Sequence, residues 1–434
     1  MRIGIVLDWN IDASSLMGIN KNLFRELGKL MNKKKSFTIA GIKLSSVKIG
    51  DINQHFDCIH IPNMGGYKFP VDASKSCTNL ILGISGIDEV IYGKNVMVNP
   101  SRWREQEQQI KNEVNNWKKY VYKINSIHVV AKSELREMNQ YLGIPEKKMK
   151  IIPHGVNHNL FKPSLNKNDT RKEILSKFNI PNSKYFIHVG EYNWARKNHL
   201  RLIDAYAKAR EMGLKHQLIF VGKYYDNIKQ KGEKIPGIKF LGWVSNEHLV
   251  NLMQGADAFL LPSLHEGFGM PLVESMACGT PCITTNLHAP PEIVNNAGLF
   301  VNPLDISEIA TKMQQISIDP ILLDKLSQNS LIRSKIFSWE TNAKQILELY
   351  ENIESKPIEN FEDSYDLAAF RTLTTICELF PNSKQSLVES LLQFDYTKMI
   401  DWALEFGLKD PQIQDFLKPF EDWLIKHQQI TSIV

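Results

Sequence analysis

Two glutamates eight positions apart, Glu266 and Glu274, flank a glycine-rich bend, Glu266-Gly267-Phe268-Gly269. Gly267 and Gly269 carry no Cβ, so backbone N–H groups there can come close to a ligand. Pro271 sits where a helix begins, because its missing N–H is no loss at a first helical position. The helix predicted over Leu272–Cys278 ends at Gly279, a residue suited to a left-handed exit. Its start, at Met270–Leu272, turns a positive dipole end and unpaired N–H groups toward the bend, which suits a diphosphate. Carboxylates beside an anion repel it unless they face another part of the same ligand. Hydroxyl groups fit that part, since one carboxylate can accept two O–H hydrogen bonds. The chemistry is that of a diphosphate with sugar hydroxyls on either side, as in a nucleotide sugar.

The flanking elements fit a parallel α/β sheet. Ala258 to Leu261 is a short apolar run that reads as a buried strand, and Pro281-Cys-Ile-Thr-Thr begins the next one. Strand, loop, helix and strand then follow in order. The full stretch, Glu266-Gly-Phe-Gly-Met-Pro-Leu-Val-Glu274-Ser-Met-Ala-Cys-Gly-Thr-Pro281, resembles the E-x7-E signature of retaining glycosyltransferases of the GT4 family.

That resemblance implies the α/β GT-B fold, in which two Rossmann-like parallel-sheet domains face a central cleft. It also implies roles for particular residues. Glu266 would hold donor-sugar hydroxyls and Glu274 the ribose. Gly267, Phe268, Gly269, Met270, Pro271 and Leu272 would surround the donor. Gly18, in a first loop predicted over Asp8–Asn20, would lie near the phosphates. Gly190 and Gly222 end two strands of the donor domain, and Phe220–Lys223 with Trp243-Val244 would cradle the nucleobase. Arg196 and Lys197, at a strand-to-helix loop, would neutralise the diphosphate leaving group. Two departures stand out. Many relatives carry an arginine directly after the glycine, where this chain has Glu191, and the loop Gly83–Glu89 lacks their histidine. Asp88 or Ser85 is the acceptor-side substitute, and His60 reads as a strand residue.

Domain limits follow from the same match. Residues 1–163 read as an acceptor domain and 164–338 as the nucleotide-sugar domain. Residues 339–356 read as a helix returning to the first domain, and Pro153 with Gly155 as a sharp bend at the hinge. Residues 357–434 lie beyond the resemblance and read as an acidic helical appendage, able to bind a partner or dock on the basic body. They hold six Lys/Arg and thirteen Asp/Glu. The net charge of +5 therefore divides into −7 there and +12 over residues 1–356, a bias that favours anionic donors, lipid heads or glycans.

Composition narrows the class. An apolar fraction of 43% with 23% charged residues is ordinary for a soluble globular protein. Five cysteines without a C-x-x-C pair point to reduced thiols in the cytoplasm. No run approaches the roughly 18 apolar residues a spanning helix needs, so any membrane contact is peripheral. Ser101–Lys123 is one amphipathic candidate, for core packing or for a membrane surface. No Asp-x-Asp pair exists, so the resemblance implies transfer without metal or other cofactor and without nucleic acid. GDP-mannose is the first donor expected, from the Arg196-Lys197-Asn198 run, then UDP-hexoses; a glycan or glycolipid would accept. A nucleotide-sugar 2-epimerase and a non-catalytic scaffold are the competing readings.

Overall fold

A computed structural model describes residues 2–6, 14–31, 38–42, 57–64, 68–70, 79–92, 103–190, 195–224 and 226–353. Glu191, the residues from Asp8 to Ala13 and the appendage 357–434 lie outside them. The first sheet takes β1 (Arg2–Val6), β2 (Thr38–Ile42), β3 (Cys58–Ile61), β4 (Leu80–Ile84), β5 (Ser126–Val129) and β6 (Met149–Ile151). Their spatial order is β2-β1-β3-β4-β5-β6, every pair parallel. The second takes β7 (Tyr185–Val189), β8 (Gln217–Val221), β9 (Ile238–Phe240), β10 (Ala258–Leu261), β11 (Cys282–Thr285) and β12 (Gly298–Val301). Its order is β12-β11-β10-β7-β8-β9, again parallel throughout. Strands such as Leu80–Ile84 and Ala258–Leu261 are buried along their whole length, as continuous apolar runs must be when helices cover both faces.

Helices supply the covering layers at their apolar faces. Ile19, Leu23 and Leu27, four apart, are buried on the helix Ser14–Met31. They share a core with Ala343, Ile346, Leu347 and Tyr350 of the helix Trp339–Glu351. The last helix of the described chain thus returns to the first sheet, and the Tyr350 hydroxyl meets Nδ1 of His60 at 2.7 Å. His60 is a buried strand residue. The helix Trp103–Tyr120 buries Ile110 and Trp117 and packs Val114 against them. Its apolar stripe is therefore core surface and is not available to a membrane.

Three expectations change. Gly18 falls inside the helix Ser14–Met31 and not in a loop. Strand β2 has no counterpart in the sequence reading. A further helix, Pro320–Ser334, follows Ile306–Ile318, with the Asp319 side chain capping its start. Its apolar positions do not fall on one clean stripe, which hid it from periodicity.

The chain passes between the two sheets twice, and the two crossings touch. Val156 pairs with Ser338 as an isolated parallel bridge, and the Val156 N–H donates to the Phe337 carbonyl at 3.2 Å. A Cβ on Gly155 would lie 2.1 Å from the Trp339 nitrogen. Backbone, unlike a flexible side chain, has nowhere to move there. Gly155→Ala is expected to lower unfolding free energy by about 1–3 kcal/mol, the usual cost of overpacking. Urea unfolding followed by Trp fluorescence measures it, and an unchanged midpoint would contradict the close crossing.

Candidate active site

In the second sheet the strand order reverses between β10 and β7. Loops leaving the carboxyl ends of these neighbours diverge, so a crevice opens between them. Gly190 and Gly222 end β7 and β8 side by side. Gly222 has φ +124°, and a Cβ there would lie 2.2 Å from the Gly190 carbonyl oxygen.

The loops after β7 and β10 bring the chemistry together. Lys197 Nζ donates to Glu266 Oε1 at 2.7 Å, and Ser263 Oγ donates to the same oxygen at 2.6 Å. Arg196 reaches Glu266 Oε2 through one terminal nitrogen at 3.4 Å and Asp88 Oδ2 through Nε at 3.4 Å. Glu266 and Lys197 are both buried. Burial alone pushes the Glu266 carboxyl up, but the Lys197 and Arg196 cations and the Lys197 and Ser263 hydrogen bonds outweigh it and hold it at about 2. Burial in turn pulls the Lys197 ammonium down against the opposing pull of Glu266. Of the residues singled out from sequence, Glu266, Arg196, Lys197 and Asp88 thus form one cluster. Ser85 stands apart and donates to Asn63 Oδ1 at 2.9 Å.

Two helices open into this crevice without a side-chain cap. Asn198 precedes the helix His199–Glu211 at φ 62°, and Gly269 precedes Met270–Ala277 at φ 84°. Elsewhere Asn166, Ser245, Asp305, Asp319 and Ser338 cap their helices with a side-chain oxygen. Uncapped N-termini leave donors for an anion. Glu274 sits half-buried in the helix Met270–Ala277, and its carboxylate has no hydrogen bond or ion pair among the described residues. Burial pushes its pKa up to about 7.

Some expected donor contacts change. Leu272 is fully buried in the core, and its N–H already donates to the Gly269 carbonyl at 2.8 Å. Phe268 is buried edge-to-face against His154 and Phe337, and Met270 packs into the cores on either side. Pro271 has no N–H to give. Gly267 faces the first domain, where a Cβ would meet the Gly86 nitrogen at 2.9 Å and Glu134 Oε1 at 3.1 Å.

A set of contacts across the cleft escapes sequence reasoning. The helix Lys132–Leu142 has no cap of its own; Glu292, from the second domain, accepts its Lys132 and Ser133 N–H groups at 2.8 and 2.6 Å. Glu134 accepts from the Gly86 and Val130 N–H groups. Glu137 Oε2 meets His265 Nε2 at 3.1 Å, and its Oε1 meets His288 Nδ1 at 2.7 Å. Tyr92 hydroxyl bonds His288 Nε2. The available signal was the i, i+3 spacing of Glu134 and Glu137, which puts both carboxylates on one helix face. Nothing local pointed to their partners, 128 and 151 positions away for Glu137.

Two parallel-sheet domains joined by paired crossings, with a returning last helix, are the GT-B fold. Comparison with known proteins agrees. Residues 170–333, most of the second domain, match the family described as Glycosyl transferases group 1. The chain is 31% identical over 185 residues to O-antigen chain mannosyltransferase B of Escherichia coli, covering 41% of this chain and 48% of that one. It is 28% identical over 221 residues to an Escherichia coli UDP-Gal:alpha-D-GlcNAc-diphosphoundecaprenol alpha-1,3-galactosyltransferase, covering 48% and 55%. The match therefore spans about half the length of these relatives. Among solved structures, sucrose-phosphate synthase of Thermosynechococcus elongatus superposes with a TM-score of 0.63 at 17% identity, over 81% of this chain and 99% of that one. Anabaena Alr3699/HepE in complex with UDP-glucose does so with a TM-score of 0.61 at 17% identity, over 81% and 100%. These two share the fold.

The ion pair makes a quantitative prediction. Lys197→Met strands a buried carboxylate and is expected to cost about 3–5 kcal/mol. The double variant with Glu266→Gln removes the stranded charge, so it should cost less than the two single losses added. Equilibrium unfolding of the three variants measures the cycle, and strict additivity would contradict the pairing.

Glu274 gives a pH prediction of definite sign. Its pKa is raised on folding, so the native state resists losing this proton. Stability from the group is full below the ordinary range near 4.5 and is lost as pH rises through about 7. Glu274→Gln should therefore gain stability over the unmodified protein between pH 5 and pH 8. Thermal unfolding at both pH values reads it, and a parallel shift at both would refute the assignment.

Proposed function

We propose that this protein is a retaining glycosyltransferase that moves a sugar from a nucleoside diphosphate to an acceptor hydroxyl. The observation that carries the reading is the Arg196–Lys197–Glu266 cluster placed beside two uncapped helix ends. It combines cations for a diphosphate with a carboxylate held ionised for sugar hydroxyls. Arg196 contacts both of its carboxylates at 3.4 Å, a loose hold from which it can turn to the diphosphate. Lys197 donates to Glu266 and fixes that carboxylate in place, while its charge also acts on the leaving diphosphate. Glu274, without a hydrogen-bond partner among the described residues, can accept two O–H bonds from a ribose.

In the proposed step the bond from the anomeric carbon to the diphosphate oxygen breaks as a bond to the acceptor oxygen forms on the same face. The departing phosphate takes the acceptor proton, so no enzymic nucleophile is needed. Arg196, Lys197 and the helix ends stabilise the charge on the leaving group, in place of a metal clamp. Mannosyltransferases among the relatives make GDP-mannose the first donor and UDP-hexoses the next. A glycan or glycolipid is the proposed acceptor. No helix among the described residues is long and apolar enough to cross a membrane. We place the reaction at the cytoplasmic side, with lipid-linked acceptors approached peripherally.

The test is thermal stabilisation by UDP, GDP and ADP and their sugars. A ligand at a hundred times its Kd should add about 2.7 kcal/mol. One base is expected to stabilise strongly, to lose the effect in Glu274→Ala, and to yield an α-configured product whose formation changes less than about twofold on adding Mg²⁺. If no nucleotide at millimolar concentration raises the melting temperature, the donor site is wrongly assigned.

A further inference from the structure

Beside the donor crevice lies a second cluster that the transfer reaction does not use. Glu137, from the first domain, is largely buried and holds two histidines of the second domain, His265 and His288. His265 is fully buried, and its Nδ1 has no hydrogen-bond partner among the described residues. Glu137 pairs with no Lys or Arg among them. Buried carboxylates are ordinarily paired with a cation or coordinated to a metal, and here the partners within hydrogen-bond distance among the described residues are two imidazoles.

The three side chains lie close enough together to share one metal ion. One ligand atom from each of the three residues lies within 4.8 Å of the others. Tetrahedral coordination at about 2.0–2.1 Å places ligand atoms roughly 3.3 Å apart, so the two imidazoles, which now meet different oxygens of the carboxylate, must be drawn together onto one ion. The rings of His265 and His288 already lie close, with centroids 4.3 Å apart and their planes tilted by 56°. His288 would coordinate through Nδ1 while its Nε2 is held by the Tyr92 hydroxyl. A second partner on the far ring nitrogen is how metal-bound histidines are commonly oriented. The backbone at His288 takes φ 58°, a conformation uncommon outside glycine, Asn, Asp and His, and it aims this ring at Glu137.

We propose that Glu137, His265 and His288 form a binding site for one borderline-soft divalent cation of the zinc class, which clamps the two domains together beside the donor crevice. Two imidazoles and a carboxylate leave a fourth position for water, and imidazole selects against magnesium. The cation closes the cleft on the side of His265, the residue adjoining Glu266, and so couples domain closure to the placement of the donor-sugar carboxylate.

The test uses the full chain, stripped with chelator and free of nucleotide, titrated with Zn²⁺ against a competing chromophoric chelator. One tight equivalent is expected, with affinity falling at least tenfold in His288→Asn and in Glu137→Gln. Asn is chosen because it tolerates the left-handed backbone. Co²⁺ should give a visible band of a low-coordinate nitrogen and oxygen site, absent from His288→Asn, and Zn²⁺ but not Mg²⁺ should raise the melting temperature. Absence of a stoichiometric equivalent, or equal affinity in both folded variants, overturns the proposal. Neither result bears on nucleotide binding, so the clamp and the donor site stand or fall separately.

Discussion

The burial of Lys197 against Glu266 is the constraint around which the second domain is arranged. An ion pair removed from water survives only when its remaining hydrogen-bonding capacity is filled. Ser263 supplies one such bond and Arg196 a longer one. Both partners must therefore arrive on loops held to within a few tenths of an ångström. The strand reversal between β7 and β10 provides this, because it sets the two loop origins side by side while their chains diverge. Asn198 then ties the loops together, donating to the Pro262 and Pro303 carbonyls at 2.9 and 2.6 Å.

A second buried charge network steadies the opposite end of the same sheet. Asp257, just before β10, accepts from Arg171 at 2.5 Å, Lys167 at 3.1 Å and His216 at 2.9 Å. Burial pushes its carboxyl up, but these partners hold it well below the usual range. Arg171 also donates to the Gly255 carbonyl at 2.7 Å. The helix Lys167–Lys177, whose apolar periodicity is weak, is thereby fixed by charge as much as by burial of Ile174 and Leu175. The active end of the sheet is left free to carry loops, with the rigid end doing the anchoring.

Among the described residues, one helix of the first domain carries several polar contacts to the second. Lys132–Leu142 takes its cap from Glu292 and presents Glu134 and Glu137 to the second domain. Burial pushes the Glu134 carboxyl up to about 8 even though two N–H groups bind it. Polar contacts of this kind depend steeply on separation, in contrast to apolar packing, so small rigid-body movements change them greatly. The paired crossings at Gly155 and Trp339 are where the chain joins the two domains.

Local sequence determined the parallel α/β class, the bend at Gly267–Gly269, the helix start at Pro271 and the basic pair at Arg196 and Lys197. Each depends on properties a residue carries with it: a missing Cβ, a missing N–H, an apolar run, a fixed charge. The returning helix was legible for the same reason, since its stripe repeats every three or four positions. Gly18 was misread because glycine also fits a helix whose face is buried by tertiary contact. The burial of Leu272 was not legible, because motif position does not show which way a side chain points or whether its amide is already hydrogen-bonded. The pairing of Glu266 with Lys197, of Arg196 with Asp88, and of Glu137 with His265 and His288 was decided only by tertiary structure. These partners lie tens to hundreds of positions apart, and only strand order within a sheet and the meeting of the two domains bring them within hydrogen-bond reach.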